Sequence, residues 1–236
     1  MLNHNGAVPA LWRRMPAELR RPGGFELTAR LLAAANLPVA ARVADVGCGS
    51  GGTVAYLRQQ ELKGWGVEPD QELLQAGRDG GNAWLLDGEG TQLPFPDRSL
   101  DAVLTECSLS VMPDAVKVLA EFRRVLKPTG KVLISDVYFR QPQGAEMFRR
   151  KNPITETAAC LAGALTWAEW ERLLAAQGYR PMFWEDASSC LKSWVAQMIL
   201  ASDDRECRAE EPGSILATRP GYFLMVAEFA ATRRDI

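Results

Sequence analysis

Asp45-Val46-Gly47-Cys48-Gly49-Ser50-Gly51-Gly52 is the stretch that decides how this chain folds. It follows the apolar run Arg42-Val43-Ala44 and precedes the helix-like run Thr53-Val54-Ala55-Tyr56-Leu57. A strand that empties through glycines into a helix lets a ligand approach bare backbone N–H groups. A tight strand–helix connection also wants glycines, so the octet alone leaves both readings open. Lys63-Gly64-Trp65-Gly66-Val67-Glu68-Pro69-Asp70 then reads as a second short strand ending in an acid. Glu68 stands roughly twenty residues past the glycines, where a nucleotide-binding α/β unit places a carboxylate for ribose hydroxyls. A carboxylate suits that task because it accepts both hydroxyl protons; a solvated acid at a strand end is the alternative.

Working outward, apolar runs predict strands at 42–46, 64–68, 83–86, 100–106 and 130–137, with helices at 52–60, 70–77 and 114–126. Val116, Leu119, Phe122, Val125 and Leu126 share one face of the last helix, and Lys127-Pro128 ends it. A helix from Phe25 to Asn36 precedes the first strand, and Leu11 to Leu19 forms a short amphipathic stretch before it. Late strands at Arg180–Glu185 and Gly221–Ala230 follow a helix at 167–177 and flank another at 188–201. Alternating strands and helices imply an α/β fold with parallel pairing and right-handed crossovers. Gln141-Pro142-Gln143-Gly144 and Asn152-Pro153 interrupt the pattern and predict a lid over 139–166. Residues 1–36 then form an N-terminal helical cap on a domain of residues 37–236.

The ordered set of segments resembles the class I S-adenosylmethionine-dependent methyltransferases, of the methyltransferase type 11 kind. It comprises Asp45 to Gly51, Glu68, Gly88 to Phe95, Pro96 to Asp101, Met112-Pro113-Asp114 and Glu121 to Lys131. No single piece is specific; their order and spacing are. The dinucleotide fingerprint G-x-G-x-x-G has no place for the Leu-Pro-Phe and Leu-Lys-Pro segments. The resemblance implies a Rossmann-like, seven-stranded, mostly parallel sheet whose last strand is antiparallel, and S-adenosyl-L-methionine as cofactor. It implies that Gly47, Cys48 and Gly49 pass their backbone against the cofactor's methionine end, with Asp45 orienting that loop. Glu68 and Pro69 belong to the ribose side. Gly88, Glu89 and Gly90 belong to the adenine, with Asp87 competing for the role of Glu89. Thr105-Glu106-Cys107 lines the amino-acid end.

Many relatives that methylate a hydroxyl or an acidic carbon place a histidine base after the fourth strand. Here that stretch is Leu109-Ser110-Val111-Met112, and the one histidine is His4. The acceptor is then a soft nucleophile that needs no base, or an acid such as Glu106 or Asp136 serves. Cys160-Leu161-Ala162-Gly163-Ala164-Leu165-Thr166, with Ser135-Asp136-Val137-Tyr138, resembles arsenite methyltransferases, in which thiolates hold trivalent arsenic. Soft sulfur suits that centre. The resemblance makes Cys160 a catalytic candidate, with Cys190 and Cys207 as candidate partners; a buried cysteine at a helix entry is the alternative, and Glu106 is the other catalytic candidate, as a base. Cys107 reads as a small apolar residue at a strand end.

The 236 residues suffice for one such domain, and a formal charge of −2 gives no global reason to expect nucleic acid. Five cysteines without a C-x-x-C are neither a disulfide scaffold nor a structural zinc pattern, and no metal site is expected. No apolar run reaches transmembrane length, and Met1 to Asn5 lacks a signal-peptide start. The expectation is therefore a cytoplasmic monomer or homodimer acting on a small-molecule acceptor, away from membranes. A generic O-, N- or C-methyltransferase with incidental cysteines is the alternative, as is a non-catalytic cofactor-binding regulatory protein.

Overall fold

The computed structural model describes residues 21–151, 159–201 and 218–230. Helix α1 (Gly24–Ala35) leads into β1 (Arg42–Val46), α2 (Gly52–Gln59), β2 (Lys63–Glu68), α3 (Gln71–Asp79) and β3 (Leu85–Asp87). Strand β4 (Leu100–Glu106), a short 3-10 turn at Leu109–Val111, α4 (Ala115–Val125) and the long β5 (Leu126–Phe139) come next. The chain continues through α5 (Pro142–Lys151), α6 (Ala159–Ala162), β6 (Leu165–Thr166), α7 (Trp167–Ala176), β7 (Tyr179–Asp186), α8 (Ser189–Ala201) and β8 (Pro220–Phe229).

The sheet order is β3-β2-β1-β4-β5-β8-β7, with β6 pairing β5 off this path. Strand β8 runs antiparallel to both β5 and β7, while β1 to β4 pair in parallel with their neighbours. The expected α/β architecture with an antiparallel last strand is therefore present. Connections from β1 lead outward in one direction and those from β4 in the other. That reversal opens a crevice outside the carboxyl ends of β1 and β4, the place where such sheets bind ligands.

Alternation along the strands supplies two cores. Val132, Ile134 and Tyr138 of β5 face Val118, Leu119 and Phe122 of α4 and Trp170 and Leu174 of α7. Leu133, Val137 and Phe139 face the other way, toward Leu27 and Leu31 of α1, Phe148 of α5 and Leu161 of α6. A strand buried on both sides reads as a continuous apolar run.

Three expectations differ in detail. Strand β5 starts at Leu126 rather than 130, because the chain stays extended after α4 and Leu126 pairs Leu100 across a bulge. The region expected as an irregular lid contains a regular helix, α5. Pro142 sits at its first position, where a missing N–H removes no helical bond. The two-residue β6 adds an eighth strand beside Tyr138 and Phe139. Leu11–Leu19 and Asn152-Pro153 lie outside the described residues.

Helix α7 is held by a reciprocal cap. The Glu169 amide donates to Thr166 Oγ1, and the Thr166 amide donates to Glu169 Oε2 at 2.7 Å. Arg149 donates to both Glu169 oxygens at 3.0 and 3.2 Å. Against the opposing effect of partial burial, these bonds hold the Glu169 carboxyl down at about 2. Thr166→Ala should lower stability by about 1 kcal/mol in urea unfolding, the usual effect of losing an N-cap. A carboxyl lowered by folding stabilises above its ordinary value of 4.5 and loses that contribution as pH falls toward about 2. Glu169→Gln should therefore flatten the acid limb of stability against pH, and an unchanged limb would show that the pair contributes nothing.

Candidate active site

The glycine loop is fixed by its own amides. Gly47 N–H donates to the Val67 carbonyl at 2.8 Å, and Cys48 N–H to the same oxygen at 3.2 Å. Gly47, Gly49 and Gly51 hold φ of +79°, +56° and +82°, conformations that side chains resist. A Cβ at Gly47 would stand 2.5 Å from Cβ of Ser108. Cys48 contributes backbone only: its sulfur is turned toward Gly66 and the small cluster of Val54, Leu74 and Leu85.

Carboxylates converge where β1, β2 and β4 end. Glu68 is buried, and it accepts from Gly49 N–H at 2.9 Å and Asp70 N–H at 3.1 Å. Glu106 is buried as well, and it accepts from Thr28 of α1 at 2.8 Å and Thr53 of α2 at 3.0 Å. Arg21 Nε lies 3.3 Å from Glu106 Oε2. Asp45 is the third acid. Burial pushes its carboxyl well above the usual range, Glu106 and Glu68 add to the rise, and Arg21 opposes it. Such a set favours a cationic ligand and resists an anionic one.

Two thiols, Cys107 and Cys160, lie near each other beyond the carboxyl end of β4. Cys107 follows β4 with φ of +52°, a conformation costing a non-glycine residue about 1–2 kcal/mol. Its thiol donates to the Tyr222 hydroxyl at 3.3 Å, which donates to Ser135 at 3.1 Å. Burial and then Asp136 push this thiol well up, with Cys160 close enough to add to the rise. Cys160, at the start of α6, is pushed up to about 12 by burial and Asp136. Asp136 itself is fully buried, and its carboxyl rises to about 6.

The predicted residues thus divide. Asp45, Gly47, Cys48, Gly49, Glu68 and Glu106 meet at one crevice. Pro69 is exposed just beyond it. Gly88 and Gly90 are half-buried, and Asp87 lies opposite Glu68 in register. Glu89 is exposed, its carboxylate 3.5 Å from the Thr91 hydroxyl. Cys190 donates instead to the Ala187 carbonyl, and Cys207 lies outside the described residues. Sequence reasoning missed Thr28, Thr53 and Tyr222, and gave Cys107 a backbone place at the amino-acid end and a packing role. Among the described residues no group of three or more His, Cys, Asp or Glu side chains could hold a metal ion.

Comparison with known proteins agrees with this geometry. Residues 44–134 match a methyltransferase domain family, covering β1 through most of β5. That segment reads as a methyltransferase domain, and the sheet has the fold of the class I enzymes of that kind. The cofactor of that class is S-adenosylmethionine. An arsenite methyltransferase of Aquipseudomonas alcaligenes is 35% identical over 87 residues, 37% of this chain and 24% of the relative. A 27-O-demethylrifamycin SV methyltransferase of Amycolatopsis mediterranei is 26% identical over 180 residues, 72% of this chain and 65% of the relative. The chain thus spans less than two thirds of the length of each. Phosphoethanolamine N-methyltransferase 2 of Haemonchus contortus, solved with S-adenosyl-L-methionine, superposes with a TM-score of 0.69 at 17% identity. That match covers 91% of this chain and 54% of the other, and shows the shared fold.

Gly47→Ala in this methyltransferase domain should weaken S-adenosylhomocysteine binding at least about ten-fold in calorimetric titration, because the added carbon meets Ser108 at positive φ. Unchanged affinity would remove the loop from the binding site.

Proposed function

We propose that the protein transfers a methyl group from S-adenosylmethionine to a small-molecule acceptor held on the thiol side of the crevice. The observation that carries the reading is the convergence of Asp45, Glu68 and Glu106 on a glycine loop of positive φ, with Cys107 and Cys160 near each other just beyond β4. The donor set fits the cofactor. The loop at Gly47 and Gly49 leaves room for its methionine end, Asp45 and Glu106 suit its cationic groups, and Glu68 at the end of β2 suits ribose hydroxyls. Gly88 to Gly90, with Asp87 beside them, suit the adenine. Bound there, S-adenosylmethionine supplies a methyl on a positively charged sulfur, a donor whose leaving group needs no acid.

The chain's own task is then alignment and a free lone pair on the acceptor. Both oxygens of Glu106 already accept hydrogen bonds, so this carboxylate serves better as an anchor than as a base. A soft acceptor such as arsenite removes the need for a base. Cys107 and Cys160 are neutral thiols at pH 7, since burial raises both. Each exchanges its S–H for a sulfur–arsenic bond as an arsenic-bound hydroxide takes the proton and leaves as water. The arsenic lone pair stays free to attack the methyl. Cys107, rather than Cys190, is the partner this reading assigns to Cys160.

A second reading is methylation of oxygen, nitrogen or carbon, with the thiols merely packed; the Cys107–Tyr222 bond favours it. The same proposal takes the protein as a cytoplasmic monomer or homodimer, with residues 1–36 as cap and 139–166 as lid. No described helix is long and apolar enough to cross a membrane.

Calorimetry with S-adenosylmethionine and S-adenosylhomocysteine, then turnover with arsenite and excess thiol, tests both readings. Arsenite-stimulated product release, lost in both Cys107→Ser and Cys160→Ser, is the expected result. Binding without stimulation would favour the second reading, and no cofactor binding would overturn both.

A further inference from the structure

One buried acid is unused by the chemistry above. Asp136 of β5 is fully inaccessible to solvent, yet its carboxylate is well supplied with donors. Oδ2 accepts from the Ser110 amide at 2.9 Å, and Oδ1 accepts from the Ser110 hydroxyl at 2.7 Å and the Val137 amide at 2.7 Å. An ionisable group this deep is retained only where such bonds hold it. Their effect is to clamp the turn Leu109–Val111 onto the sheet.

That turn touches both sides of the crevice. Ser108 and Met112, at its two ends, lie against the loops expected to take the cofactor. A Cβ at Gly47 would stand 2.5 Å from Ser108 Cβ, and one at Gly90 would stand 2.7 Å from Met112 Sδ. On the opposite side, Gly163 lies directly on the turn, so that a Cβ there would stand 2.0 Å from the Ser110 carbonyl oxygen. Gly163 follows α6, three residues past Cys160. Contacts this close leave no slack, and close-packed interiors transmit displacement.

We propose that Asp136 is a positioning residue, and that its joint with Ser110 couples the cofactor loops to the helix bearing Cys160. The proposal rests on the cofactor site argued above. Occupancy of the glycine loop presses on Ser108 and Met112, and the clamped turn passes the displacement to Gly163 and Cys160. Asp136→Asn breaks the clamp. Backbone amides face both carboxylate oxygens, Ser110 N–H at Oδ2 and Val137 N–H at Oδ1, so in either orientation the asparagine nitrogen opposes donor to donor.

The experiment measures the rate of Cys160 modification by N-ethylmaleimide, read by peptide mass spectrometry, with and without S-adenosylhomocysteine. In the unmodified protein the ligand should change that rate by about five-fold or more, and in Asp136→Asn and Ser110→Ala by under about two-fold. Calorimetric affinity in the variants should stay within about three-fold, which a general loosening of the fold would not leave intact. Equal ligand effects in variant and unmodified protein would overturn the joint, pointing to direct cover of the thiol. A bound ligand with no effect on Cys160 in the unmodified protein would overturn it too. Absence of ligand binding there would instead sink the cofactor site, and the proposal with it.

Discussion

The bond from the Gly49 amide to the Glu68 carboxylate is the contact on which the site depends. Parallel pairing sets Val46 opposite Val67, so the loop leaving β1 and the acid ending β2 meet without further design. The other oxygen of Glu68 takes the Asp70 amide, and Asp70 in turn caps α3 through the amides of Glu72 and Leu73. One side chain therefore fixes the glycine loop and, through its neighbour, the next helix. The buried acid is tolerated there because backbone donors satisfy its oxygens.

The same logic extends across the crevice with different donors. Glu106 draws hydroxyls from two helices, Thr28 from α1 and Thr53 from α2, and so ties the start of the described chain to the carboxyl end of β4. Arg21 adds a positive charge to the same place. Asp45 stands among these groups, and the neighbouring acids bias its carboxyl toward protonation. A cationic ligand would relieve that crowding, which is why the acids read as a binding surface as well as a scaffold.

Much of this was legible before the structure. Strand and helix order followed from apolar periodicity, because β4 and β5 are buried on both faces and α4 on one. The glycine loop and Glu68 were legible because their spacing follows from strand and helix lengths. Thr28 was not, since a threonine inside a helix carries no signal of its bond to an acid 78 residues away. Asp136 did carry one, an acid in the apolar run Val132 to Tyr138, but its partner Ser110 depends on how a turn folds back. The hydrogen bond of Cys107 was not legible for a similar reason, although the residue does pack against the core as expected. That bond reaches Tyr222, 115 residues away, which the antiparallel return of β8 beside β5 brings into place.

The family match ends at Ile134, one residue before Ser135 and two before Asp136. Everything that presents the cofactor surface described here, apart from Arg21 and Thr28, lies within the matched segment. Cys107 and Ser110 lie within it too, but their partners do not: Tyr222, Asp136, Gly163 and Cys160 all come later. The proposed acceptor side thus joins residues inside the matched segment to residues beyond it. A fold shared by relatives with different named acceptors does not choose among them. Under the proposed reading that choice falls to what β5, α6 and β8 set against the turn after β4, which in this chain is Asp136 on Ser110, and Cys160 and Tyr222 beside Cys107.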